Sequence, residues 1–365
     1  MSLRKVFELN RKGFNLLRGL MAIAIFLVPF IVLAAVHQEQ YYLSAAFGVA
    51  MTAASDPGGR LSYRASHLAL VGLIGMLLTW LAFGIGPEAW GWVALAAFAV
   101  TTLAGLVVKF GLHRFVAAYL LNIWFIIALA LPVHDQLAKT SFNIWLEGLA
   151  WLAGSAAWIG YITVVWLARG RRPQPAFIPE IPGDTSLVKL TRPKVLFAVI
   201  RALAVTIAVA ISFGLQLPNA DWMPIAAIVA MKPSLQQAEL VAVQRLAGAV
   251  LGAIVAAVFL LTVSSKYALG AVVVVFAGVA GSIRTVNYAF YTAAVAAVVL
   301  IATDIPNPSD LAAEVRRVVF TFIGVGIATA VTLLANLLQK RPAAQSTPAP
   351  PASPPRPAPA SRPAP

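Results

Sequence analysis

The chain has 365 residues, 60% of them hydrophobic and only 11% charged, with a mean hydropathy of +0.85. These values lie far outside soluble globular usage and describe a polytopic protein whose main partner is the lipid bilayer. The net charge of +14 is spread over short stretches beside apolar runs rather than gathered in one basic domain, which argues against a nucleic-acid partner. The lack of cysteine excludes disulfides and thiolate chemistry.

Apolar runs of about 17–25 residues cross a hydrocarbon core of about 30 Å, and twelve candidate spans follow one another along the chain. The first six cover 17–36, 41–54, 65–84, 89–108, 115–131 and 144–168. The first of them is too long for a signal peptide and lacks a clean small-x-small cleavage site, so it is expected to remain as a span. A Pro-rich, charged linker takes up 169–194. Six more spans cover 195–217, 222–231, 246–263, 267–281, 286–302 and 315–338. The Pro/Ala/Ser tract of 341–365 has no apolar face to bury and is expected to be disordered.

The second set repeats the first. Arg18 corresponds to Arg201, Tyr42 to Trp222, Arg64 to Arg245, Arg114 to Arg284 and Gly154 to Gly324. Threading twelve spans from a cytoplasmic N-terminus leaves only Lys139, Lys266, Arg201, Arg316 and Arg317 of the 27 Lys and Arg off the cytoplasmic side, a positive-inside bias. The expected architecture is an all-α membrane protein of two parallel six-helix repeats, 1–168 and 195–340, with both termini cytoplasmic. Halves of five spans would be inverted and would put the linker outside, against its six basic residues.

Each copy holds one apolar segment too short for an ordinary span, 41–54 and 222–231. Paired short segments in duplicated transporters point to a substrate site. Ten residues of helix cover about 15 Å, half of the hydrocarbon core. Lys232-Pro233 can end the second segment there, because proline lacks a donor and restricts its predecessor. The other reading is a helix that runs on toward Gln237 into the cytoplasm. Lys232, Arg245 and Arg201 are the candidates for holding a carboxylate, a guanidinium offering bidentate pairing. Arginines at span ends also snorkel to the interface. Trp222, Tyr288, Tyr291 and Tyr42 could stack on an aromatic acid or form the interfacial belt. Arg284, Asn287 and Tyr288 are expected on one helical face. Asp56 and Glu147 are the candidates for proton coupling, since a carboxylate desolvated in a membrane cavity can titrate. Glu147 and Arg317 fall at equivalent places on the last span of each half, and Asp221 precedes the second short segment, where it could cap a helix.

The run Trp222-x-x-x-Ala226, Met231-Lys232-Pro233, Arg245-x-x-Gly248-x-x-x-Gly252, Asn287-Tyr288 and Arg317-x-x-x-Thr321-x-x-Gly324 resembles the repeat of the fusaric acid resistance and aromatic acid exporter (FUSC-like) family. The first copy resembles it more weakly, with Tyr42 in place of the tryptophan and Glu147 where the second copy has Arg317. The resemblance implies efflux of aromatic or other organic acids across an inner membrane, as a homo-oligomer or with a periplasmic adaptor. Distantly similar plant malate channels suggest a passive anion pathway instead, and a non-transporting envelope scaffold is a third reading.

Enzyme chemistry finds no support. His37, His67, His113 and His134 are scattered without metal spacing, and neither a P-loop nor a GxSxG elbow occurs. No cofactor and no metal is expected.

Overall fold

The computed structural model describes residues 7–138, 143–173, 187–218, 221–231, 235–304 and 311–340. Twelve α-helices occupy the described residues. In the first half they are α1 (Leu16–Ala35), α2 (Tyr42–Ala54), α3 (Leu61–Ile85), α4 (Trp90–Leu106), α5 (Leu112–Ala138) and α6 (Ile144–Ala168). In the second they are α7 (Arg192–Gly214), α8 (Trp222–Ala230), α9 (Leu235–Thr262), α10 (Lys266–Ile283), α11 (Tyr288–Asp304) and α12 (Leu311–Lys340).

Twelve helices thus stand where twelve spans are expected, and among the described residues eight of them are long and apolar enough to cross a membrane by themselves. The other four are α2 with 13 residues, α8 with nine, and α9 and α11, whose apolar stretches are Ala247–Thr262 and Tyr288–Ala302. At about 1.5 Å per residue α8 spans roughly 14 Å. It stops at Met231, whose backbone is extended (φ −88°, ψ 92°). Lys232 and the proline after it lie outside the described residues.

Polar residues set several helix starts. Asn15 accepts from the Arg18 amide at 3.0 Å, Asn143 from Trp145 and Leu146, and Ser265 from Ala268, each satisfying donors that a first turn leaves open. The outward faces are apolar: Leu70, Leu73, Leu77 and Leu81 project from α3 at helical spacing, while Leu68, Val71, Thr79 and Ala82 point inward. This is the arrangement expected where lipid replaces water, with polar groups gathered inside.

In the first half α6 packs on α2 and α3, α5 on α3 and α4, and α1 on α2. In the second half α12 packs on α8 and α9, α11 on α9 and α10, and α7 on α8. The halves meet chiefly along two helix pairs, α4 with α7 and α10 with α1, with a smaller contact of α5 on α8. The first is antiparallel, since Gly105 faces Ala198 and Trp90 faces Gly214. The start of α1 is tied to the end of α10 by backbone bonds from Asn10 to Val286 (2.8 Å) and from Asn15 to Ser282 (3.0 Å).

Candidate functional site

The first short helix runs parallel to α6 and is tied to it by polar contacts along its length. Ser44 donates to Glu147, and Thr52 bonds Ser155 at 2.9 Å. Gly154 lets the backbones meet, because a Cβ there would strike the carbonyl oxygen of Ala45. Just past α2, Asp56 is 1% exposed. Its carboxylate accepts from Nε (2.8 Å) and Nη2 of Arg64, from the Gly58 amide (2.9 Å) and from the Trp158 indole (3.3 Å). A buried ion pair of this kind persists only when further hydrogen bonds satisfy the charges, and the amide and the indole supply them. Beside it His113 donates from Nε2 to the Ser55 carbonyl at 2.8 Å, and its ring lies 5.1 Å from that of His67. The sequence scatters these histidines; packing of α3 on α5 joins them.

The second short helix has the same relation to α12. Gly324 sits against the carbonyl of Met223 and the side chain of Ala226, where any Cβ would collide. Arg317, 4% exposed, holds its guanidinium 6.0 Å from the centroid of the Trp222 ring. The two equivalent positions on the last helices, Glu147 and Arg317, are therefore both buried beside a short helix. Asp221 occupies the N-cap position of α8, with no side-chain bond to the first-turn amides. Lys232 and the side chain of Arg245 lie outside the described residues, although Arg245 is on the continuous helix α9.

Arg201, nine residues into α7, is 1% exposed, and its guanidinium lies 4.8 Å from the centroid of the Tyr119 ring on α5. Sequence reasoning named the arginine but missed Tyr119. It also missed Asn122, one turn further along α5, which is fully buried and accepts from Thr101 of α4 at 3.2 Å. Asn122 is the lone amide in an otherwise apolar run, a signal that membrane energetics make meaningful.

Arg284, Asn287 and Tyr288 do not share a helical face. A turn separates α10 from α11, and Asn287 stands at the start of α11, where its oxygen accepts from Ala289 (2.8 Å) and Phe290 (3.1 Å). Its amide donates to the Glu8 carbonyl at 3.0 Å, which fastens the N-terminal segment. Arg284 lies over the ring of Tyr291 at 5.5 Å, and the Tyr288 ring is 6.0 Å from that of Tyr291. Tyr42 donates to the Phe26 carbonyl at 3.3 Å. Among the described residues no group of three or more His, Asp or Glu side chains is placed to hold a metal ion.

Residues 188–331 match the family model described as fusaric acid resistance protein-like. The match takes in α7 to α11 and most of α12, the half in which the family's residues are read from the sequence. Neither the curated proteins nor the solved structures gave a match to the chain.

Proposed function

We propose that the protein is an inner-membrane transporter that exports small anionic compounds, aromatic or other organic acids, with both termini in the cytoplasm. The observation that carries this reading is the burial of ionisable groups beside the two short helices of a multi-pass chain. Asp56 with Arg64, Glu147 and Arg317 are each at most 4% exposed, and ionisable groups buried inside a membrane protein are costly enough that they mark substrate and ion pathways. The match of the second half to a fusaric acid resistance protein-like model supports the same reading.

The organisation proposed is two parallel six-helix repeats. Its support is that the pairings α1–α2, α2–α6, α3–α5, α3–α6 and α4–α5 recur six helices later, and that α4–α7 is answered by α10–α1. Asp56 and Glu147 are the proposed proton carriers. Arg201 is the proposed contact that holds the anion, and Trp222, Lys232 and Arg245 are proposed contacts elsewhere along its path, whereas Arg284, Asn287 and Tyr288 serve the turn and the N-terminal segment.

One observation favours a second reading, a passive anion pathway. Asp56 already has both carboxylate oxygens engaged by Arg64, a contact within the protein that uses the carboxylate structurally. Everted membrane vesicles from cells producing the protein, compared with vesicles lacking it, distinguish the readings. Uptake of radiolabelled benzoate that stops when the proton gradient is dissipated is the expected result. Uptake that persists supports the passive pathway, and no difference between the two vesicle preparations overturns transport of this class altogether.

A further inference from the structure

Arg201 carries a guanidinium fork into the protein interior. Within this chain Arg64 shows what such a fork does when a carboxylate is at hand: its Nε and Nη2 face the two oxygens of Asp56. This is the side-on, bidentate geometry that guanidinium and carboxylate share. Arg201 offers the same edge. Its Nε and Nη2 are buried and have no hydrogen-bond partner among the described residues, and no described carboxylate pairs with it. The Tyr119 ring lies against the guanidinium and leaves that edge to be used.

A second buried donor lies at the same level. The register of α4 on α7, in which Gly105 meets Ala198, sets Thr101 level with Ala202, one residue from Arg201. Thr101 holds the oxygen of Asn122, so the amide group of Asn122 points its N–H bonds elsewhere, and its Nδ2 has no partner among the described residues. The surroundings are otherwise apolar, with Ala97, Leu121 and Val205 in one buried core.

The geometry points to a binding site for a single monocarboxylate with an apolar body, built where α4 and α5 of the first half meet α7 of the second. This rests on the export reading above and adds to it the place and the ligand class. One guanidinium and one amide suit one carboxylate; a multiply charged phosphate would lack cations to balance it.

The test is titration of the full chain in nanodiscs with benzoate, with inorganic phosphate as competitor. Arg201→Gln is expected to weaken benzoate binding about 100-fold, and Arg201→Lys and Asn122→Leu about 10-fold each, as expected for loss of charge-assisted and neutral hydrogen bonds. Phosphate should not compete. Unchanged affinity in Asn122→Leu and in either Arg201 variant overturns the site, as does competition by phosphate at equal concentration. If Arg201→Gln fails to fold, Arg201→Lys and Asn122→Leu decide. Vesicles that export benzoate equally well with Arg201→Lys and Asn122→Leu would sink the site alone, whereas a protein that binds benzoate through Arg201 yet moves none would sink the export reading alone.

Discussion

At the scale of single residues, the sharpest contrast is between two buried arginines. Arg64 is neutralised within the protein by Asp56, whereas no described carboxylate pairs with Arg201. Breaking the first pair from one side leaves an uncompensated charge away from water, which costs about 3–5 kcal/mol. Asp56→Asn and Arg64→Gln are therefore each expected to lower the melting temperature of the purified protein in detergent, and the double variant to lose less than the sum of the singles. Equal and additive losses would show that the carboxylate and guanidinium are not coupled. Both residues could be named from the sequence because charges stand out in an apolar chain. Tyr119 and Asn122 escaped notice for the opposite reason: neither is charged, and the single amide of Asn122 is a weaker signal than a charge inside an apolar span. His67 and His113 lie on helices two apart, and only the packing of α3 on α5 brings their rings to 5.1 Å.

At the scale of elements, the short helices are held by close approach of backbone to backbone. Gly154 and Gly324 occupy corresponding places, and each faces a carbonyl of the short helix beside it. Gly160 and Gly326 lie on the same two helices, and a methyl group at either would meet no atom within 4 Å. Alanine at Gly154 or Gly324 is thus expected to cost about 1–3 kcal/mol through forced separation, while alanine at Gly160 or Gly326 should be neutral or stabilising by up to about 1 kcal/mol. Thermal unfolding of the four variants in one detergent checks this, and equal behaviour of the two classes would mean the short helices are not clamped there. Hydropathy located these elements well when their ends coincide with apolar runs, as for α6, expected and found at 144–168. It failed for α9, which begins at Leu235 although its apolar stretch starts at Ala247. Its first turns carry Gln236, Gln237, Glu239 and Gln244, which favour helix without signalling membrane.

At the scale of the whole molecule, the seam between the halves decides how a site at Arg201 could open. The arginine is 1% exposed, so a ligand reaches it only if helices part. The site draws on both sides of the α4–α7 seam, whose small residues Gly105, Ala198 and Ala202 bring the two helices close without long side chains to interlock. Close packing by small residues relies on dispersion and can be undone by a modest separation. Because the chain has no cysteine, a single introduced pair can fix this seam. A Cβ on Gly105 would stand 2.7 Å from that of Ala198, so Gly105→Cys with Ala198→Cys needs about 1 Å of widening to reach disulfide geometry. Oxidation of that double variant is expected to abolish benzoate uptake into everted vesicles, and reduction to restore it. Each single cysteine variant should be insensitive to oxidant. Full uptake by the oxidised, cross-linked protein would place the moving parts elsewhere and leave α4 and α7 as a static joint between the halves.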